Sequence, residues 1–206
     1  MYTLPVFAET RLEVLHALLH AHPLATLVRR DGDSLCADHI PFELGAATPE
    51  APFGTLRGHV ARANPLWREE GEVLAVFQGP QAYISPAWYA EKALSGKVVP
   101  TYNYAVAHGH GRLRAVHDAD WLLALLERLT ARHEAAMPQP WRIDEAPPGY
   151  IAKIMKAIVG IEIPLSRLEG KWKTSQNQPE QTRRMVAAGL GAGHPMAALV
   201  RPADGA

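Results

Sequence analysis

Hydrophobic and polar positions alternate along this chain with two distinct periods, and the switches between them mark its elements. Leu12, Leu15, Leu18 and Leu19 recur at helical spacing, with Thr10 placed to cap the helix and Pro23 to stop it. Two short runs at 24–29 and 35–44 flank Asp31-Gly32-Asp33, an Asp-Gly turn that predicts a hairpin. After an Ala- and Pro-rich loop at 45–53, runs at 54–60 and 73–78 read as a second hairpin-like pair, with 82–85 extending it. Ser85-Pro86-Ala87-Trp88 resembles a helix start, and that helix is expected to end near Gly96.

Residues 101–116 form the longest β-type alternation. Asp118 or Asp120 then caps a helix striped by Leu122, Leu125, Leu126 and Leu129. A third helix is predicted over 148–158 and a last strand over 159–168. From Pro179 onward one or two helices lead into a Gly- and Ala-rich end. Strands in succession without βαβ alternation predict an α+β protein with an antiparallel, strongly curled sheet or barrel and peripheral helices. The expected organisation is one domain over 1–190 and a mobile tail over 191–206.

Composition narrows the classes. At 206 residues with 48% hydrophobic content, the chain can bury a sizeable core. Lys plus Arg and Asp plus Glu both number 21, which argues against nucleic-acid binding through bulk charge. The single Cys36 excludes an internal disulfide or a Cys-based metal cage. The start Met1-Tyr2-Thr3-Leu4-Pro5 lacks the basic and apolar pattern of a secretory leader, and no apolar stretch has the length of a membrane span. A cytoplasmic protein is expected.

Three segments carry chemistry. In Thr55-Leu56-Arg57-Gly58-His59-Val60-Ala61-Arg62-Ala63-Asn64, alternation puts Thr55, Arg57 and His59 on one strand face, with Arg62 and Asn64 in the turn beyond. Such donors suit a phosphate; a polar outer face of an edge strand is the plainer alternative. In 101–111, Tyr102, Tyr104, Val106, His108 and His110 share one face. The other carries only Thr101, Asn103, Ala105, Ala107, Gly109 and Gly111, a smooth strip for a flat ring or a close neighbouring strand. His108 and His110 have metal-ligand spacing but no carboxylate at useful spacing, and His16 and His20, one helical turn apart, read as a solvated helix face, so no metal site is expected. The third segment, Gly170-Lys171-Trp172-Lys173-Thr174-Ser175-Gln176-Asn177, follows the predicted last strand and combines cations, an indole and amides. It reads equally as a ring-stacking, hydrogen-bonding segment or as a surface loop. A P-loop, a dinucleotide fingerprint and a nucleophile elbow are all missing.

These segments resemble the PaiB-type FMN-binding negative transcriptional regulators. The matching runs are His22-Pro23-Leu24-Ala25-Thr26, His39-Ile40-Pro41, Arg57 through Pro65, and Gly79 through Pro86. They continue with Lys97 through Thr101, Asn103-Tyr104, Gly160 through Ile163, and Gly170 through Asn177. Tyr102 stands where the family usually has Trp. Asp38 replaces a common Asn and would place a negative charge near the pocket.

The resemblance implies a flavin split barrel and a homodimer binding FMN between subunits. On that analogy Arg57, His59, Arg62 and Asn64 hold the phosphate, and Thr26, His39 and Ile40 border the isoalloxazine. Tyr83, Ser85, Lys97 and Thr101 line the pocket, while Lys171, Trp172, Ser175, Gln176 and Asn177 close it. The implied role is repression of transcription, although no DNA-binding motif is visible. The competing role is an FMN-dependent oxidoreductase or a haem-handling protein using the same pocket, with His39, Tyr83 or Lys97 as acid/base candidates. Catalytic residues stay unassigned. The three segments are also free of acid: no Asp or Glu occurs over 51–68, 92–117 or 170–179.

Overall fold

The computed structural model describes residues 1–202. Along the chain run β1 (Ala8–Glu9), α1 (Leu12–Ala21), β2 (Leu24–Asp31), β3 (Ser34–Pro41), β4 (Glu43–Gly45), β5 (Thr55–Ala61) and β6 (Gly71–Ile84). Then come α2 (Glu91–Leu94), β7 (Thr101–Val116), α3 (Ala119–Glu134), α4 (Tyr150–Met155), β8 (Ile158–Lys173), α5 (Glu180–Leu190) and α6 (Pro195–Val200). The strands form one eight-stranded sheet in the order β3-β2-β6-β7-β8-β5-β4, with β1 paired to β8. β2–β3, β2–β6, β4–β5, β5–β8 and β1–β8 all pair antiparallel. The protein is α+β with an antiparallel sheet, as the strand succession predicts.

The chain divides into two compact units. The first comprises Met1–His22, Phe77–His108 and the chain from Glu169 onward. There Leu15, Leu18 and Leu19 bury one face of α1. The helix sits close to the sheet because Gly79 and Gly170 leave room: an added Cβ would lie 2.5 Å from Leu18 and 2.4 Å from Leu15. A second cluster joins Ala82 and Ile84 of β6 to Val186 and Ala187 of α5 and Met196 and Val200 of α6.

The second unit comprises Pro23–Val76 and Gly109–Leu168. Its core is built from Leu27, Phe42, Leu56, Leu113, Leu125, Ile161, Ile163 and Leu165, each at most 2% exposed. The β2–β3 hairpin closes as predicted, with Gly32 at a φ of 58°.

Several expectations are corrected. The run at 54–60 does not pair with 73–78: β5 pairs with β4 and β8, and β6 with β2. Period-two alternation tells which face a residue takes, not which strand lies beside it. Thr10 does not cap α1; Arg11 holds the cap position, and its N–H donates to Glu9 Oε1 at 2.9 Å. The helix expected between Ser85 and Gly96 is a 3-10 turn at Pro86–Trp88 followed by the short α2. The third helix shrinks to α4. The last strand extends past 168 to Lys173, so Lys171 and Trp172 lie on a strand rather than in a loop. Residues 195–200 of the expected tail are helical, with Met196, Ala197 and Val200 buried; residues 203–206 lie outside the described part.

Candidate functional site

The end of β8 and the start of β7 build a cavity of about 500 Å³ in the first unit, its polar groups set among apolar walls that include Phe7, Leu94 and Val99. Lys97, Thr101, Ser175 and Asn177, all expected at a ligand site, line it together. Alternation on β7 brings Thr101 and Asn103 to the same face. Beyond β8 the chain turns sharply at Ser175, whose φ of 61° is unusual for a residue with a side chain. The turn is held by specific bonds: the buried Asn103 Nδ2 donates to Ser175 Oγ at 2.8 Å, and Gln178 N donates to Ser175 O at 2.9 Å.

Gln176 does not line the cavity but locks its loop. Its Oε1 accepts from Thr174 N at 2.7 Å, and its Nε2 donates to Trp172 O. Lys173 reaches across to donate to Tyr102 O at 2.9 Å and to Thr101 Oγ1. Burial pushes the Tyr89 phenol above its ordinary pKa, so it faces the cavity protonated. Asn103, Lys173, Gln178 and Tyr89 were not picked out as site residues from the sequence. The shared face of Thr101 and Asn103 was the signal for the first of these.

Other expected residues of this unit serve elsewhere. Ser85 Oγ accepts from Ala87 N at 3.2 Å and caps the 3-10 turn. Tyr83 meets Tyr102 edge to face, their centroids 6.1 Å apart. Lys171 Nζ donates to Tyr2 O at 3.1 Å and lies 5.4 Å from the Tyr104 ring centroid. Trp172 covers Gly170, where an added Cβ would lie 2.6 Å from the indole.

In the second unit, Arg57 and His59 stand on one face of β5, as alternation requires, but each is already engaged or enclosed. Arg57 Nε donates to Glu162 at 3.0 Å. His59 has a buried Nδ1 without a hydrogen-bond partner, and burial lowers its pKa, leaving a neutral imidazole. Arg62 donates from Nε to Lys156 O at 2.8 Å and from Nη2 to Ile158 O at 2.9 Å. Asn64 spends its amide on Asp38 at 2.7 Å and its carbonyl oxygen on Leu66 N at 2.9 Å. Asp38 is thus Asn64's partner. Thr26 and His39 are cross-strand neighbours, whereas Ile40 turns the other way into the core at 4% exposure. The small-residue face of β7 serves close strand packing here, since an added Cβ on Gly111 would lie 2.3 Å from Pro164 O. His110 lies beside a cation, Arg167 Nη2 being 2.8 Å from its Nε2.

A family model described as "Putative FMN-binding domain" matches residues 1–167. A protein of Emericella nidulans is 35% identical, covering 92% of this chain and 90% of its own length. The protease synthase and sporulation protein PAI 2 of Bacillus subtilis is 30% identical, covering 87% and 84%. Among solved structures, the flavocytochrome Anf3 of Azotobacter vinelandii superimposes with a TM-score of 0.61 at 16% identity, over 81% of this chain and 69% of that one. The FAD and heme binding protein of Mycobacterium smegmatis does so with 0.54 at 18%, over 88% and 80%. These likenesses show the fold, the split barrel expected from the motifs. Among the described residues no helix is long and apolar enough to cross a membrane.

Proposed function

The chain belongs to this FMN-binding domain family, and from that premise we propose that it binds FMN in the cavity of the first unit. The observation that carries the reading is the donor set. Two ammonium groups, Lys97 and Lys173, stand with the Thr101 hydroxyl and the amides of Asn177, Gln178 and Gln181. Glu91 is the one carboxylate among the lining residues, and Ser95 Oγ donates to it. A surplus of donors suits a ligand made of acceptors, namely a phosphate and the carbonyls of a flavin ring. The loop locked by Asn103 and Gln176 fixes the stretch that carries Asn177 and Gln178 before the ligand arrives, which lowers the cost of binding. Bound FMN would supply hydride and electron transfer; the residues' part is to hold and orient it.

On this reading Arg57, Arg62 and Asn64 hold the sheet and its turn, through Glu162, main-chain carbonyls and Asp38 respectively, and none of the three lines the cavity. The exposed Lys97 takes the phosphate end. Titration with FMN, followed by visible absorbance and flavin fluorescence, tests both statements. Saturable spectral change is expected. Lys97→Ala is expected to weaken FMN about tenfold or more while sparing riboflavin, which has no phosphate. A protein that never alters the flavin spectrum ends the reading. Equal losses for both flavins end the phosphate assignment, and discrimination by Arg57→Ala instead moves it to β5.

The finer role is that of a homodimeric repressor of transcription, supported by the motif resemblance over most of the chain. Gel retardation of promoter DNA with and without FMN, beside NAD(P)H oxidation, separates it from an oxidoreductase. Retardation that is salt-sensitive but indifferent to sequence counts against repression.

A further inference from the structure

The larger cavity lies in the second unit and shares no lining residue with the cavity proposed for FMN. Of the residues expected at the phosphate only Arg62 borders it, its guanidinium held by the carbonyls of Lys156 and Ile158. The cavity encloses about 680 Å³, within the range of ligand pockets. Its walls are Val116 at the end of β7, Leu122 and Leu123 of α3, Ile151 and Met155 of α4, and Ile158 at the start of β8. Helix α4 is the unusual element. Its sequence is Tyr-Ile-Ala-Lys-Ile-Met, yet it buries none of its residues, and Tyr150 and Ile154 are 52% and 46% exposed. Burial of an apolar face normally secures so short a helix. Here α4 is held by its ends.

At the N-terminal end Pro147-Pro148-Gly149 turns the chain, with Gly149 left-handed at a φ of 73° and Tyr150 N donating to Pro147 O at 3.0 Å. At the other end the Arg62 main chain donates to Ala157 O at 2.8 Å, and its guanidinium takes the carbonyls of Lys156 and Ile158. Facing it, α3 is fixed by Asp118, whose carboxylate accepts from Trp121 N at 2.8 Å. The two helices approach each other, and both line the apolar space.

The charges around this space select the occupant. Asp144 is neutralised by two bonds from Arg142, at 3.1 and 3.0 Å. The remaining charged rim groups are two acids, Asp120 and Glu127, and two bases, Arg62 and Lys156. His117 also lines the cavity, its ring edge to face with Trp67 at 5.5 Å between centroids. A ligand with net charge gains nothing from a balanced rim and loses hydration on entering an apolar cavity. An uncharged apolar body gains from every wall it covers, by roughly 25 cal/mol per Å².

We propose that this cavity is a second ligand site, taking an uncharged, mainly apolar small molecule between α3 and α4. The test uses Nile red, a neutral dye that brightens in apolar surroundings, with the full chain. Saturable binding to the wild type is expected. Ala152→Trp on α4 and Ala119→Phe on α3 fill the space from opposite walls and are expected to weaken the dye about tenfold or more. Tyr150→Ser, which alters α4 outside the cavity lining, is expected to leave binding unchanged. Circular dichroism identifies any filler that fails to fold, and the other filler then decides.

Absence of saturable binding, or affinity untouched by a folded filler, overturns the proposal. So does stoichiometric displacement of the dye by FMN, which would make this the flavin's cavity and count against the site proposed above as well. If sedimentation shows the fillers changing the oligomeric state without affecting the dye, the surface is a contact between copies and the proposal fails. Failure of FMN to bind elsewhere leaves the dye experiment intact, so the two readings are tested separately.

Discussion

His59 shows what burial does to a single titratable group. Its imidazole is drawn into the sheet, its Nδ1 finds no partner, and desolvation lowers its pKa below the ordinary 6.5. In the unfolded chain the same ring takes up a proton near its ordinary pKa. Below that value the unfolded state binds more protons, so stability rises with pH until about 6.5 and is then flat as far as this group is concerned. Melting temperatures measured from pH 5 to 8 are expected to fall on the acid side, and His59→Gln is expected to flatten that fall. An identical acid slope in the variant would assign the effect to other groups.

The cations of the acid-free segments teach a related lesson. Arg57 finds Glu162 across a strand pair, Arg62 finds carbonyls, Lys171 finds Tyr2 and Tyr104, and Lys173 finds Tyr102 O. Residues without a nearby acid in sequence were legible as unusual. Their partners were not, because strand pairing brings together positions more than 100 residues apart.

At the scale of elements, β7 decides how closely its neighbour approaches. Its inward positions run Asn103, Ala105, Ala107, Gly109 and Gly111, all buried. An added Cβ on Gly111 would overlap Pro164 O at 2.3 Å, and the obstacle is main chain, which cannot rotate away. Gly111→Ala is therefore expected to cost about 1–3 kcal/mol or more. Gly71→Ala, where an added Cβ meets nothing within 4 Å, is expected to be neutral or slightly stabilising. Urea midpoints compare the two, and equal effects would refute the packing argument. The long alternation made β7 the most legible element of all. β8 was legible only to 168, because Gly170 and the Lys-Trp-Lys run look like loop chemistry until α1 is seen lying over Gly170. The pairing of β5 was not legible, since partners come from topology. The cavity was partly so: motifs pointed to Lys97, Thr101, Ser175 and Asn177, but Lys173 joins them only through the strand's added length.

Across the whole molecule, the C-terminal helices connect stability to the site. Met196 and Val200 of α6 are fully buried beside Val186 of α5 and Ile84 of β6. Arg183 ties the helices by donating to Val200 O at 3.0 Å and Arg201 O at 3.2 Å. The same α5 presents Gln181 and Thr182 to the cavity proposed for FMN. A chain end that was merely a tail would tolerate change at Met196 to within about 0.5 kcal/mol, as surface positions do. A packed end loses buried surface and gains a cavity, so Met196→Ala is expected to cost about 2–5 kcal/mol. Because α5 borders the ligand space, the loss carries over to FMN: local loosening of α5 lowers the fraction of molecules with the cavity formed, and apparent affinity falls by that fraction. Denaturation and FMN titration on the same variant check the chain of reasoning. Lost stability with unchanged FMN affinity would separate the helices from the site, and unchanged stability would return residues 191–202 to the status of a tail.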